Sequence, residues 1–339
     1  MKKLLLASAV AALSITAAQA APTVYGKVYL TLDAKDGNKN SAHKDSRSQL
    51  NSNASRLGVK GAENLTNNID LVYQLEYRLD ADANGKRNWE SRDTYLGLAH
   101  KQYGTLVAGR LSAIDGHVDY ANVLTGGVVG GDGVLASFDG DRANNAFAYF
   151  SPERNGVQLM GMYVMDEDKS DASVNAVAAG GAAARAANDN LGRDAFGLAA
   201  KYEPDNMPVK AGASYIQAGD LKVARVSGAY ALSPALTAGA LYQHTKFGKG
   251  MKKENTVAVS ANYKVAQTPW TAYGQLDFVD NAGGGNNDAQ RLAVGGKYAF
   301  NKSTTGHVYS AYLRNKQTVA SKKVNADSYG IGAGIEYKF

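Results

Sequence analysis

Ser328-Tyr329-Gly330-Ile331-Gly332-Ala333-Gly334-Ile335-Glu336-Tyr337-Lys338-Phe339 closes the chain, and its period decides the fold. Tyr329, Ile331, Ala333, Ile335, Tyr337 and Phe339 fall on one face, and Ser328, Gly330, Gly332, Gly334, Glu336 and Lys338 on the other. Successive side chains of a strand point to opposite sides, so a period of two marks a strand with one apolar face and one small or charged face. The apolar face carries tyrosines near both ends and aliphatics between them. A strip that crosses a bilayer needs that order, because aromatic rings settle at the two interfaces and aliphatics in the hydrocarbon.

The alternation recurs along the chain. Residues 24–32, 57–61, 69–79, 95–98, 106–111, 146–150, 157–165 and 196–202 read as strands. Residues 209–216, 223–230, 236–244, 257–263, 270–278, 292–300 and 308–313 follow, and the final strand brings the total to about sixteen. Beyond the N-terminus no stretch approaches the ~18 continuous apolar residues of a membrane-spanning helix, but a barrel strand needs only ~9–11 with every second one apolar. Short connections at 64–68, 101–104, 152–156, 204–208, 233–234 and 301–304 are rich in Asn, Gly and Pro. They alternate with longer polar ones at 34–53, 81–91, 112–141, 166–192 and 281–288. Short turns at one end and long loops at the other are the asymmetry of an outer-membrane barrel. The expected fold is therefore all-β: a transmembrane antiparallel β-barrel of about sixteen strands, forming one domain over residues 21–339. The segment 171–190, with its Ala run, reads either as an irregular loop tip or as a short helix over the mouth.

Residues 1–20 read as a secretory signal peptide. Met1-Lys2-Lys3 is a basic start, residues 4–18 are mostly apolar, and Ala18-Gln19-Ala20 offers small side chains at the two positions a signal peptidase selects, so cleavage is expected after Ala20. Removing these 20 of 339 residues leaves 319, and losing Lys2 and Lys3 lowers the formal charge from +6 to +4. So small a charge on an exported chain argues against nucleic acid as a partner. With no cysteine, disulfides, zinc–thiolate sites and thiol catalysis are excluded. Thirty-seven Gly and twenty Tyr against six Pro fit crowded strands with an aromatic girdle. His43, His100, His117, His244 and His307 form neither an i, i+4 pair nor an H-E-x-x-H motif, and there is no G-x-S-x-G. Gly295-Gly296-Lys297 mimics the end of a phosphate loop, but Tyr298 stands where Ser or Thr is required. No enzyme activity, cofactor or metal site is expected.

Four segments carry a resemblance. They are Val24-Tyr25-Gly26-Lys27, Ser55-Arg56-Leu57-Gly58-Val59-Lys60-Gly61, Ser91-Arg92-Asp93-Thr94-Tyr95-Leu96-Gly97-Leu98 and Asp141-Arg142-Ala143-Asn144-Asn145-Ala146-Phe147-Ala148-Tyr149. In this order they resemble the general diffusion porins of Gram-negative bacteria, and the chain looks most like the neisserial and β-proteobacterial kind. Phe339 as the last residue is similar to the terminal signature by which bacterial outer-membrane proteins are recognised for insertion. The resemblance implies a homotrimer in the cell outer membrane, in contact with its lipid and lipopolysaccharide, through which small hydrophilic solutes and anions diffuse passively. It also implies that Lys27, Arg56, Arg92 and Arg142 point into the lumen and form a basic wall. Strand parity agrees for the second segment, where Arg56, Gly58 and Lys60 share the face opposite Leu57 and Val59. Arg92 shares its parity with Leu96 and Leu98, so a bulge is needed there. Charges at a constriction hold water and set the sign of the permeating ion. Guanidinium groups keep their charge even when crowded.

The loop 112–141 resembles the third loop that folds into the pore of that family, and Gly126, Gly127, Gly130, Gly131 and Gly133 suit a tightly bent chain. Where the family carries acids in a stretch like PEFGGD, this chain has Thr125-Gly126-Gly127-Val128-Val129-Gly130-Gly131-Asp132. The Glu is gone. Asp115, Asp119, Asp132 and Asp139 remain as candidates, with Asp119 and Asp132 chosen to face the bases. A basic wall with a weakened acidic partner implies a preference for anions. A sugar-selective channel stays open as an alternative, although Tyr120 and Phe138 are few aromatics for it, and so does a barrel whose loops bind other surfaces.

Overall fold

A computed structural model of the protein describes residues 21–82, 88–139, 142–165, 194–319 and 322–339. The signal peptide expected over 1–20 and the segment 171–190 lie outside the described residues. The strands are β1 (Thr23–Gly37), β2 (Arg47–Ser52 continued by Arg56–Thr66), β3 (Ile69–Arg78) and β4 (Glu90–Ser91 continued by Thr94–His100). They continue as β5 (Gly104–Ser112), β6 (Arg142–Phe150), β7 (Val157–Val164), β8 (Ala195–Tyr202), β9 (Val209–Ala218) and β10 (Leu221–Ala231). The last are β11 (Leu236–Lys246), β12 (Lys253–Lys264), β13 (Trp270–Asp280), β14 (Asp288–Ala299), β15 (Thr304–Val319) and β16 (Lys322–Lys338). The two halves of β2 both pair with β1, and those of β4 both pair with β3, so eighteen hydrogen-bonded segments make sixteen strands. Each strand runs antiparallel to the next, and β16 pairs with β1, with Leu30 opposite Ile335. The sheet therefore closes on itself and leaves no edge. Helix is nearly absent: among the described residues there are only the 3₁₀ turns Ile114–Val118 and Ala282–Gly284.

The two faces of the sheet are chemically inverted relative to a soluble protein. On β16, Ile331 is 64% exposed while its neighbour Gly332 is buried. On β11, Tyr242 is exposed at 45%, whereas Leu241 and Gln243 beside it are at 2% and 0%. Large apolar side chains thus cover the outer face while most of the polar ones point inward, an arrangement stable only when hydrocarbon surrounds the barrel. Aromatics collect where such a belt meets water. At the short-turn end Trp270, Tyr298 and Phe300 meet edge to face, and Tyr337 stacks with Phe339. At the opposite end Phe196, Tyr242, Phe278, Tyr312 and Tyr329 are exposed.

The closing seam shows why position 26 is glycine. The Gly26 amide donates to the Phe339 carbonyl at 3.0 Å, and the Phe339 amide donates back at 3.2 Å. A Cβ on residue 26 would stand 2.4 Å from the ring of Phe339 and 2.9 Å from the Arg56 carbonyl oxygen.

Connections alternate in length around the barrel, short at one end and mostly long at the other. The strands run further into the long-loop end than their apolar pattern suggests. β1 reaches Gly37 and β2 begins at Arg47, so the loop expected over 34–53 shrinks to 38–46. β15 and β16 likewise extend to Val319 and from Lys322. In these extensions most residues on both faces are polar, and the ladder is held by backbone bonds that carry no hydrophobic signature.

Candidate pore wall and the loop that faces it

The register places four bases in one row. Lys338 lies opposite Lys27, Lys27 opposite Arg56, and Arg56 opposite Arg78, across β16, β1, β2 and β3. Their face is the inner one, since it also carries Tyr29 and Glu336, buried at 1% and 7%. Like charges directly opposite one another on adjacent strands repel. Carboxylates two residues along relieve that repulsion. Glu336 takes Lys27 at 3.5 Å and Lys338 at 2.7 Å, and Glu76 of β3 takes Arg56 at 3.5 Å and Arg92 at 2.5 Å. Arg78 pairs with Asp80 at 3.3 Å, Arg142 with Asp93 at 3.0 Å, and Lys60 lies over the Tyr25 ring at 5.3 Å. Four bases, Lys27, Lys338, Arg56 and Arg92, thus share two carboxylates, and the patch keeps an excess of positive charge.

Arg92 joins this group through a slip in register. Tyr77 lies opposite Ser91, yet Gln74 lies opposite Tyr95, so β4 holds one residue more than β3 over that interval. The extra residue reverses the parity. Leu96 and Leu98 face outward, exposed at 55% and 47%, while Arg92 reaches Glu76. The Arg92 amide donates to the Glu76 carbonyl at 2.7 Å, and Thr94 Oγ1 donates to it at 3.3 Å.

On the other side, residues 113–139 lie against the inner faces of β8 to β15. Ile114, Val118, Leu135 and Phe138 are at most 2% exposed. Arg225 of β10 pairs with Asp115 at 3.3 Å and Asp139 at 2.7 Å, and its Nε donates to Gln243 at 2.8 Å. Arg291 of β14 pairs with Asp277 at 2.8 Å, and its Nη1 donates to the Gly131 carbonyl at 2.7 Å. Gly130 and Gly131 have φ of +86° and +88°, a left-handed bend that glycine adopts without strain. Further donors from the loop end on the wall: Val123 N on Gln275, Ser137 N on Glu254 and Gly127 N on Tyr309. Both arginines have fully buried side chains.

Neither acid singled out in this loop meets the basic row. The Asp119 carboxylate accepts from the amides of Ala121 and Asn122, each at 3.1 Å. Burial pushes the Asp119 and Asp139 carboxyls above the usual carboxylate range, against the pull of Arg225. Asp132 is exposed, and its backbone carbonyl accepts from Asn122 Nδ2 at 2.9 Å. Of the two loop aromatics, Tyr120 donates to Glu203 at 2.8 Å and Phe138 is buried. The sequence pattern missed Glu76, Asp93, Arg225 and Arg291. Their parity marks several of them as inward-facing, but nothing local names partners about 110 residues away, the separation between Asp115 and Arg225.

Comparison with known proteins places this geometry. The sequence profile of a family described as Gram-negative porin matches residues 6–318. A curated relative, the "Major outer membrane protein" of Pasteurella multocida, is 25% identical over the full length of both chains. The "Major outer membrane protein P.IA" of Neisseria meningitidis is 26% identical, with 84% of this chain and 82% of the relative covered. Among solved structures, an anion-selective porin from Comamonas acidovorans superposes with a TM-score of 0.71 at 23% identity, covering 94% of this chain and 99% of the other. OmpT of Vibrio cholerae, solved in a trimer form, gives 0.61 at 17% identity, covering 94% and 99%. These likenesses in shape support the barrel fold.

Proposed function

The chain belongs to the Gram-negative porin family, and from that premise we propose that its lumen is a water-filled passage for small hydrophilic solutes that favours anions. The protein is a diffusion channel of the outer membrane and not an enzyme. The observation that carries the anion preference is the row Lys338–Lys27–Arg56–Arg78, joined by Arg92, whose bases outnumber the carboxylates beside them. A wall with an excess of positive charge lowers the energy of an anion and raises that of a cation passing within a Debye length. Lys60 and Arg142 extend the wall. The loop 113–139 is pinned to the far side and narrows the passage against these bases, while its buried acids are consumed by Arg225 and by its own amides. Asp132 is the loop acid left exposed to balance the wall. The barrel works as a homotrimer set in lipid and lipopolysaccharide, exported by a signal peptide that is removed after Ala20.

Proteoliposome swelling tests this reading. Vesicles carrying the refolded chain 21–339 are expected to swell in small neutral sugars and faster in small organic anions of equal size. A folded barrel that gives no swelling would mean a plugged lumen and would move the function to the loops.

A further inference from the structure

Three lysines stand side by side on the outer face of the barrel. Lys222 of β10 lies opposite Lys246 of β11, and Lys246 lies opposite Lys253 of β12. All three are exposed, while their strand neighbours Val223, Thr245 and Glu254 are buried at 1%, 0% and 0%, so the lysines point away from the lumen. Opposed residues on antiparallel strands have Cβ atoms about 5 Å apart, and like charges there repel. The lumenal row meets the same repulsion with Glu336, Glu76 and Asp80 at ion-pair distance. Among the described residues the outer row has no such carboxylate. Asp220 stands in the hairpin turn before Lys222, and Asp280 stands beside Asn255 and accepts from Asn281 Nδ2. Neither forms an ion pair with the lysines. Glu254 turns inward and binds Ser137 and Gly283.

The surroundings fix the depth of the row. Two positions below it lie Ala224, His244 and Asn255, where His244 Nδ1 is 2.8 Å from Asn255 Oδ1 and Tyr242 donates to Asn255 at 2.9 Å. Two further down, Val226, Tyr242 and Val257 are exposed at 52%, 45% and 40% and belong to the apolar belt. Four residues of a strand tilted by about 40° put the lysines roughly 10 Å beyond that belt. That is where hydrocarbon gives way to headgroups. Lys249 and Lys252, both exposed in the following loop, add to the same charge.

We propose that Lys222, Lys246 and Lys253 bind the phosphate of an anionic lipid headgroup at the long-loop end of the barrel. The phosphate supplies the counter-charge that the chain omits, and the acyl chains lie on Val226, Tyr242 and Val257. A free phosphate would satisfy the charge alone, so the apolar belt directly below points to a lipid as the ligand. This inference rests on the barrel's place in the membrane and not on its ion preference.

The test uses the folded chain 21–339 in detergent, with native mass spectrometry counting bound lipid during titration with phosphatidic acid or phosphatidylcholine. A lysine near an anionic lipid surface contributes about a fivefold gain in affinity, so replacing three should cost about a hundredfold. The variant Lys222→Gln/Lys246→Gln/Lys253→Gln is expected to lose phosphatidic acid to that extent. The control Lys264→Gln/Lys302→Gln, at the short-turn end, should bind as the parent does. Inorganic phosphate at millimolar concentration should not displace the lipid, and without anionic lipid the triple variant should resist heat at least as well as the parent. Equal phosphatidic acid binding by parent and triple variant overturns the proposal. So does equal retention of phosphatidylcholine, or displacement by inorganic phosphate. Efficient cross-linking of a Lys246→Cys variant to a neighbouring barrel in membranes would assign the row to a protein contact instead.

Discussion

Two walls of one lumen use arginine for opposite purposes. On the wall of β1 to β6, Arg56, Arg92 and Arg142 keep 28%, 17% and 18% of their side chains exposed and share few carboxylates. On the wall of β10 to β14, Arg225 and Arg291 are fully buried and saturated by carboxylates and loop carbonyls. Charge that stays wet acts on whatever passes. Charge that is buried and paired fixes geometry, because freeing either partner would strand an ion in a low-dielectric interior. In the function proposed above, the first wall would set a field, and the second holds the loop that lies across from it.

The largest effect should come from breaking the clamp. Arg225→Met removes the buried guanidinium that pairs with Asp115 and Asp139, a loss of about 3–5 kcal/mol to the local fold. The loop is expected to detach from β10, giving noisier single channels of larger conductance while the barrel remains folded on a heat-modifiability gel. Unchanged, quiet channels would show that Arg225 does not hold the loop. Next in size, Arg56→Ala combined with Arg142→Ala should move the reversal potential in a potassium chloride gradient toward zero. The idea fails if selectivity and conductance both match the parent.

A smaller and opposite change sharpens the contrast. Glu76→Gln frees Arg56 and Arg92 from their shared carboxylate, so the preference for chloride should rise in the same recording. A fall would mean that Glu76 orients the bases more than it neutralises them. The smallest effect is that of salt. Raising potassium chloride from about 0.1 M to 1 M shortens the Debye length from about 10 Å to about 3 Å, and the preference should shrink accordingly. Equal selectivity at both concentrations would point to contact binding rather than to a field.

The fold was legible wherever one strand face is apolar. The period-two stretches up to Phe339 are found as strands, and their outward residues are those the alternation singles out. The extensions of β1, β2, β15 and β16 were not legible, because beyond the membrane neither face needs to be apolar. For the wall, parity was enough to put Arg56 and Lys60 on one face of their strand, Lys27 came from the resemblance, and the conflict of Arg92 with Leu96 pointed to an irregularity that the register of β4 contains. Glu76 and Asp93 escaped attention because an acid among inward residues looks like any solvated side chain until its partners are known. Arg225 and Arg291 escaped for a stronger reason. The acids that Arg225 pairs with and the carbonyls that Arg291 holds lie in a loop far away in sequence, and only the folded barrel brings them together.

The decisive measurement is a single-channel recording of the refolded chain 21–339 in a planar bilayer under a potassium chloride gradient. Stepwise conductance with a reversal potential on the chloride side is the predicted result. Conductance with a reversal potential on the potassium side would contradict the dominance of the basic wall and assign the field to the acids of the loop.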